Sequence, residues 1–286
     1  MLSTLNKCSM IAALTMAACL ATVPAAHAVS NAQLEAESAR IYAQMKATMP
    51  MTTDQDIIDY VACVAIAVVN ELEPPYNEVQ WELAVFEDDL INAGAMPGGK
   101  IVVWEGILRA ARNQHQLAAV IGHEIAHVTA EHSRRKASRT AMSDLGVRVA
   151  AVVIGQGHSG ATYSAYEALR QGAAYGFFLP FSRKAETEAD VIGLKYMARA
   201  GFDPRQAVPL WQNMSAESGE DPPEFLSTHP SDAKRIESLI SQWIDVLPLY
   251  NEALQAGKIP GCAVPESLER ELAELDAKKK ARQKKE

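Results

Sequence analysis

The chain is short of positive charge and of cysteine, and it has no apolar run suited to crossing a membrane. Its 27 Lys and Arg stand against 35 Asp and Glu, a formal net charge of −8. Nucleic acid needs a basic face, so it is excluded as a main partner. The one basic run is Lys278, Lys279, Lys280, Arg282, Lys284 and Lys285. It reads as a solvated tail, with weak peripheral attraction to an anionic membrane as the alternative. There is no internal repeat and no long low-complexity block. The longest apolar stretches are cut by charge or are too short to span a bilayer. What is present is an apolar fraction of 48% over 286 residues, enough for a sizeable core.

The first 28 residues read as a signal peptide. Lys7 gives the positive start, Met10 to Leu20 the apolar stretch, and Ala26-His27-Ala28 the small-x-small cleavage site. The competing reading is lipoprotein processing at Cys19, although Met16 is atypical at the start of such a site. Either route exports the protein, and the periplasm is the expected compartment. Of the four cysteines, Cys8 and Cys19 fall in this leader. Cys63 and Cys262 then remain, in an oxidising compartment, as candidates for one bridge; the alternative is two unpaired thiols.

A helical region is expected over residues 29–74, a catalytic domain over 75–250 and a charged helix or tail over 251–286. Ala32 to Met49 has a polar helical pattern. A second, buried helix follows a cap at Thr53-Asp54 and ends at Asn70. Val79 to Phe86 alternates, predicting a half-buried strand with Val79, Trp81, Leu83 and Val85 inward and Gln80, Glu82 and Ala84 outward. Pro97-Gly98-Gly99 predicts a turn, Lys100 to Trp104 the next strand, and Gln114 to Arg135 a long helix. Further helices are expected at 183–200, 204–218 and 231–246. The Ala- and Gly-rich segment from Asp144 to Pro180 is a candidate cover over a cleft.

The chemistry lies in His123-Glu124-Ile125-Ala126-His127. Residues four apart share a helix face, so His123 and His127 can offer two imidazoles to one ion. Neutral nitrogen donors suit zinc, and Glu124 beside them can take a proton from an attacking water. Chance alone gives H-E-x-x-H in roughly one chain in a hundred of this length, so a further ligand has to be found. Glu131, four residues on, lies about 6 Å further along the axis and is out of reach. Glu131 and His132 are read as ordinary polar residues near the helix end. A metzincin is excluded, since it needs Gly at 130 and His at 133, where Ala130 and Ser133 stand. The remaining ligand has to come from another helix. Glu186 and Asp190 share a face, and periodicity leaves open which binds metal and which steadies an imidazole. Glu188 points toward solvent.

H-E-I-A-H at 123–127 with E-T-E-A-D at 186–190 resembles the motif pair of metallopeptidase family 48. Asn92-Ala93-Gly94-Ala95-Met96-Pro97-Gly98-Gly99 and Thr228-His229-Pro230-Ser231 with Arg235 resemble two further family segments, in the family's order. The resemblance covers residues 75 to about 245. It implies a zincin-like (minigluzincin) α+β fold, mostly helical, with a small twisted sheet beside the motif helix. It makes Glu186 the ligand and Asp190 its supporting neighbour. It sets His229 at the metal, either stabilising the oxyanion or closing the site as a temporary extra ligand. The implied function is zinc-dependent endopeptidase action on protein or peptide substrates, with misfolded or unassembled envelope proteins expected. The chain lacks the several membrane spans of some members, which argues against lipidated peptides in a membrane cavity. The rival is a non-proteolytic zinc-binding chaperone or assembly factor using the same cleft. A purely structural zinc site fits only if His229 completes the shell.

Overall fold

The computed structural model describes residues 30–138, 180–217, 225–226, 229 and 233–283. The expected signal peptide, Cys19 and nearly all of the candidate cover lie outside the described residues, as do Thr228, Pro230 and Ser231.

Helix α1 (Asn31–Thr48) starts at Ser30, whose hydroxyl accepts from the Gln33 N–H while the Gln33 side chain accepts from the Ser30 N–H. That reciprocal cap satisfies two otherwise orphaned donors. Helix α2 (Gln55–Val69) is capped by Asp54, whose carboxylate accepts from the N–H groups of Asp56 and Ile57. It buries Tyr60, Val61, Val64, Ala65 and Val68, a single stripe at helical spacing.

The sheet has three strands, β1 (Glu82–Phe86), β2 (Ala93–Met96) and β3 (Lys100–Trp104), in the order β1-β3-β2. β1 runs parallel to β3, with Glu82 opposite Lys100 and Phe86 opposite Trp104; β2 runs antiparallel, with Ala93 opposite Val103. The turn between β2 and β3 places Gly98 and Gly99 at φ 79° and 72°, where a side chain would strain the backbone.

Two expectations about β1 are corrected. The strand begins at Glu82 and not at Val79. Its outward face is also covered, since Ala84 and Phe86 are buried with Met96, Val102, Trp104 and Tyr42 of α1. Val85, Ile101 and Val103, on the opposite face, join the main core with α2. Alternation therefore holds, but α1 roofs the side that a lone strand pattern leaves to water.

Helix α3 (Gln114–Thr129) begins at Asn113, whose side chain accepts from His115 and Gln116. Every residue from Gln116 to Val128 is buried, as fits a helix at the centre of a domain. The expected continuation to Arg135 is broken. Glu131 takes φ 53°, and a fresh helical run occupies 132–138. Helix α4 (Arg183–Arg199), capped by Ser182, crosses α3 glycine against glycine: a Cβ on Gly193 would lie 2.8 Å from the His123 nitrogen. Helix α5 (Ala207–Ala216) follows. The segment expected as one helix at 231–246 is two, α6 (Ala233–Ser241) and α7 (Trp243–Gln255). The charged helix expected after Pro260 is α8 (Glu266–Gln283).

A disulfide joins Cys63 in α2 to Cys262, across a separation of 199 residues. Among the described residues no helix is long and apolar enough to cross a membrane. The whole is a mostly helical α+β fold of the zincin-like kind.

Candidate metal centre

His123 and His127 come one turn apart from α3, and Glu186 from the first turn of α4. His229 lies four residues after Phe225. Its N–H donates to the Phe225 carbonyl at 2.8 Å, and its ring stacks on the Phe225 ring at 4.7 Å. These four residues form a group able to hold a metal ion. All are buried, at 4% exposed or less.

The spacing can be tested against the ion such donors prefer. His123 Nε2 is 3.0 Å from His127 Nε2, 3.2 Å from His229 Nδ1 and 3.4 Å from Glu186 Oε2. Glu186 lies 3.6 Å from His127 Nε2 and 3.2 Å from His229 Nδ1. A tetrahedral ion with bonds of about 2.0–2.1 Å sets its ligands roughly 3.3 Å apart. The five distances above are close to that spacing, and the four donor atoms all lie within 4.8 Å of one another.

Glu124 is buried beside the group, and among the described residues its Oε1 makes no hydrogen bond. His229 Nε2 is near it, at 3.3 Å. Burial pushes the Glu124 carboxyl above its usual value, against the pull of His229 and His123. Burial also pushes Glu186 up, but hydrogen bonds from His123 and His229 outweigh it and hold that carboxyl well below the usual range. His127 goes well below the ordinary imidazole value, through burial and the neighbouring His123 and His229. Burial acts to lower His123 too, yet hydrogen bonds to Asp190 and Glu186 prevail and bring it to about 9.

Asp190, a turn after Glu186, accepts from His123 Nδ1 at 3.0 Å. That contact leaves His123 Nε2 facing His127, His229 and Glu186, and a carboxylate so placed can orient an imidazole that binds a metal. Arg235, on α6, was not singled out as a site residue. It forks onto Asp190 with bonds of 2.7 and 2.9 Å, reaches Glu186 at 3.1 Å and donates to the His229 carbonyl at 3.2 Å. Its guanidinium lies over the Trp211 ring at 3.9 Å. One cation thus faces two buried carboxylates and pins the backbone of His229. The only sequence signal for it was its place after the T-H-P segment.

The reading of His132 as an ordinary polar residue is corrected. It is 3% exposed, and its Nδ1 lies 2.9 Å from His127 Nδ1. Glu188, assigned to solvent, is part exposed and pairs with His132 Nε2 at 3.3 Å. Phe181 stacks on His127 with ring centres 4.1 Å apart.

Residues 52–242 match the family described as Peptidase family M48. The chain is 41% identical over 170 residues to the mitochondrial metalloendopeptidase OMA1 of Schizosaccharomyces pombe, covering 59% of this chain and 48% of that protein. It is 35% identical over 183 residues to the Saccharomyces cerevisiae protein of the same name, covering 61% and 49%. It is 31% identical over 206 residues to the beta-barrel assembly-enhancing protease of Escherichia coli (strain K12), covering 68% and 40%. The chain therefore matches half or less of the length of these curated relatives.

Proposed function

This chain belongs to peptidase family M48, and from that premise we propose that it is a zinc-dependent endopeptidase acting on protein substrates. The observation that carries the reading is the buried Glu124 carboxylate, whose Oε1 makes no hydrogen bond among the described residues, beside a His-His-Glu-His group able to hold a metal ion. His123, His127 and Glu186 would hold the ion. Zinc there supplies Lewis acidity to the attacking water and to the scissile carbonyl. Glu124 takes the proton of that water and passes it to the leaving amine; its raised pKa suits a group that must both accept and release. Asp190 keeps His123 in the tautomer that offers Nε2.

With its Nδ1 at 3.2 Å from both His123 Nε2 and Glu186 Oε2, His229 could serve as a fourth ligand to a bound ion; substrate access would then require its imidazole to move aside, where it could donate to the developing oxyanion. The closed arrangement also favours the second reading, a zinc-binding chaperone or assembly factor that never cleaves. Misfolded or unassembled envelope proteins of the periplasm are the substrates we infer. A relative named for assembling β-barrels supports that choice, while the relatives named as mitochondrial point to another compartment.

Cleavage of casein by the wild-type protein and by Glu124→Gln, with zinc measured in both, tests the proposal. Wild type should cleave, and the variant should retain zinc and lose cleavage by at least about a hundredfold. Equal activity in the two proteins, or zinc-loaded wild type that never cleaves, would sink the peptidase reading.

A further inference from the structure

We infer that His132 is a positioning residue for the metal ligand His127, linking it to Glu188 as a carboxylate–imidazole–imidazole chain. The inference rests on the zinc reading of the site but names residues outside the ligand set.

Geometry carries it. His127 turns Nε2 toward the other ligands, so its remaining ring nitrogen, Nδ1, must hold the proton. His132 Nδ1, 2.9 Å away, is the acceptor for that proton. The second nitrogen of His132 is then the donor, and it faces Glu188 Oε2 at 3.3 Å. Each group's tautomer fixes the next, ending on a carboxylate that Arg135 also holds at 3.2 Å. His123 has its own orienting carboxylate in Asp190. Among the described residues no carboxylate makes such a contact with His127 Nδ1, and His132 spans the gap to Glu188.

The backbone is bent to make this contact. On an unbroken helix a residue five positions on lies about 140° around the axis and about 7.5 Å along it, too far to meet its predecessor ring to ring. Here α3 stops at Thr129, and Glu131 adopts φ 53°, a left-handed conformation costly for a residue with a Cβ. The chain turns there, and the His132 ring lies against that of His127 with centres 4.8 Å apart. The Glu131 carboxylate is itself clamped, accepting from Arg134 and from Asn31 of α1. A strained residue held by two partners, delivering a buried imidazole to a ligand, is a built arrangement. Support of this kind typically changes metal affinity by about 10- to 100-fold.

The test measures zinc affinity of the full chain by competition with a chelating dye, alongside thermal unfolding of the metal-free protein. His132→Phe fills the space without an acceptor, whereas His132→Asn places an amide oxygen near the position of the imidazole Nδ1. The Phe variant should bind zinc about 10- to 100-fold more weakly. The Asn variant should recover most of that loss, Glu188→Gln should show a smaller one, and all should unfold near the wild-type temperature when metal-free. Wild-type affinity in the Phe variant overturns the inference. So do equal losses in Phe and Asn accompanied by a lowered metal-free unfolding temperature, the mark of a packing role alone. A wild-type chain that takes up no zinc would overturn the metal centre itself, a separate failure visible in the same titration.

Discussion

Arg235 sits between two carboxylates that have left water, and it is the charge that makes their burial tolerable. Replacing it by Met leaves Asp190 and Glu186 without their cation. Loss of one partner from a buried ion pair costs about 3–5 kcal/mol. Urea unfolding of the metal-free Arg235→Met variant should show a loss of that order. Arg235→Lys should recover only part of it, because an ammonium cannot fork onto Asp190. His123 gives a second expectation at this scale. Its pKa of about 9 means that the metal-free imidazole carries a proton at neutral pH, and zinc needs it neutral. Zinc uptake near neutrality should therefore release about one proton from His123, and the release should fade as the pH rises above 9. Calorimetric titration in buffers of different protonation enthalpy measures it. A proton count independent of pH across that range would contradict the assignment.

Between elements, the site depends on how closely α3 and α4 approach. A Cβ on Gly193 would meet the Gly122 carbonyl carbon at 2.9 Å as well as the His123 nitrogen. Gly193→Ala must push the helices apart, and overpacking of this kind costs about 1–3 kcal/mol. His123 and Glu186 sit on opposite helices, so zinc affinity should fall with stability. Gly261→Ala, where the added methyl meets no atom of the described residues within 4 Å, is the control and should leave both unchanged. Unfolding and dye-competition titrations of the two variants decide the matter. The same helix crossing marks the limit of what was legible. The His123–His127 spacing and the Glu186–Asp190 spacing each lie on one helix face, so periodicity could see them. Which carboxylate would reach the metal depended on the distance between helices, which periodicity does not encode. His132 was missed because its contact needs the reversal at Glu131, and a helical pattern continued through that point. The roof over β1 was missed because a strand's alternation says nothing about what covers its second face.

For the molecule as a whole, the Cys63–Cys262 bridge ties α2, in the core beneath the sheet, to the segment leading into α8. A closed loop of 199 residues removes much of the freedom of the unfolded chain, by about 5 kcal/mol in the chain-entropy view. Reduction, or Cys63→Ser with Cys262→Ser, should lower the denaturant midpoint without changing the distances at the metal, because neither cysteine touches that group. An unchanged midpoint would mean that the bridge constrains little. The fold class was readable through the family resemblance, and capping residues and apolar patterns marked most helices and the strands β1 and β3; β2 was not expected as a strand, and the helix expected at 231–246 is two.

A four-coordinate ion held by His123, His127, Glu186 and His229 together would have no position left for an outside molecule. Any drug-like chelator would have to compete with a ligand the protein carries in itself. If one molecule in a hundred has His229 displaced, a hydroxamate would bind about a hundredfold more weakly than to a permanently open site. Measured inhibitor strength would then report the opening equilibrium, and His229→Ala should tighten hydroxamate binding by the same factor.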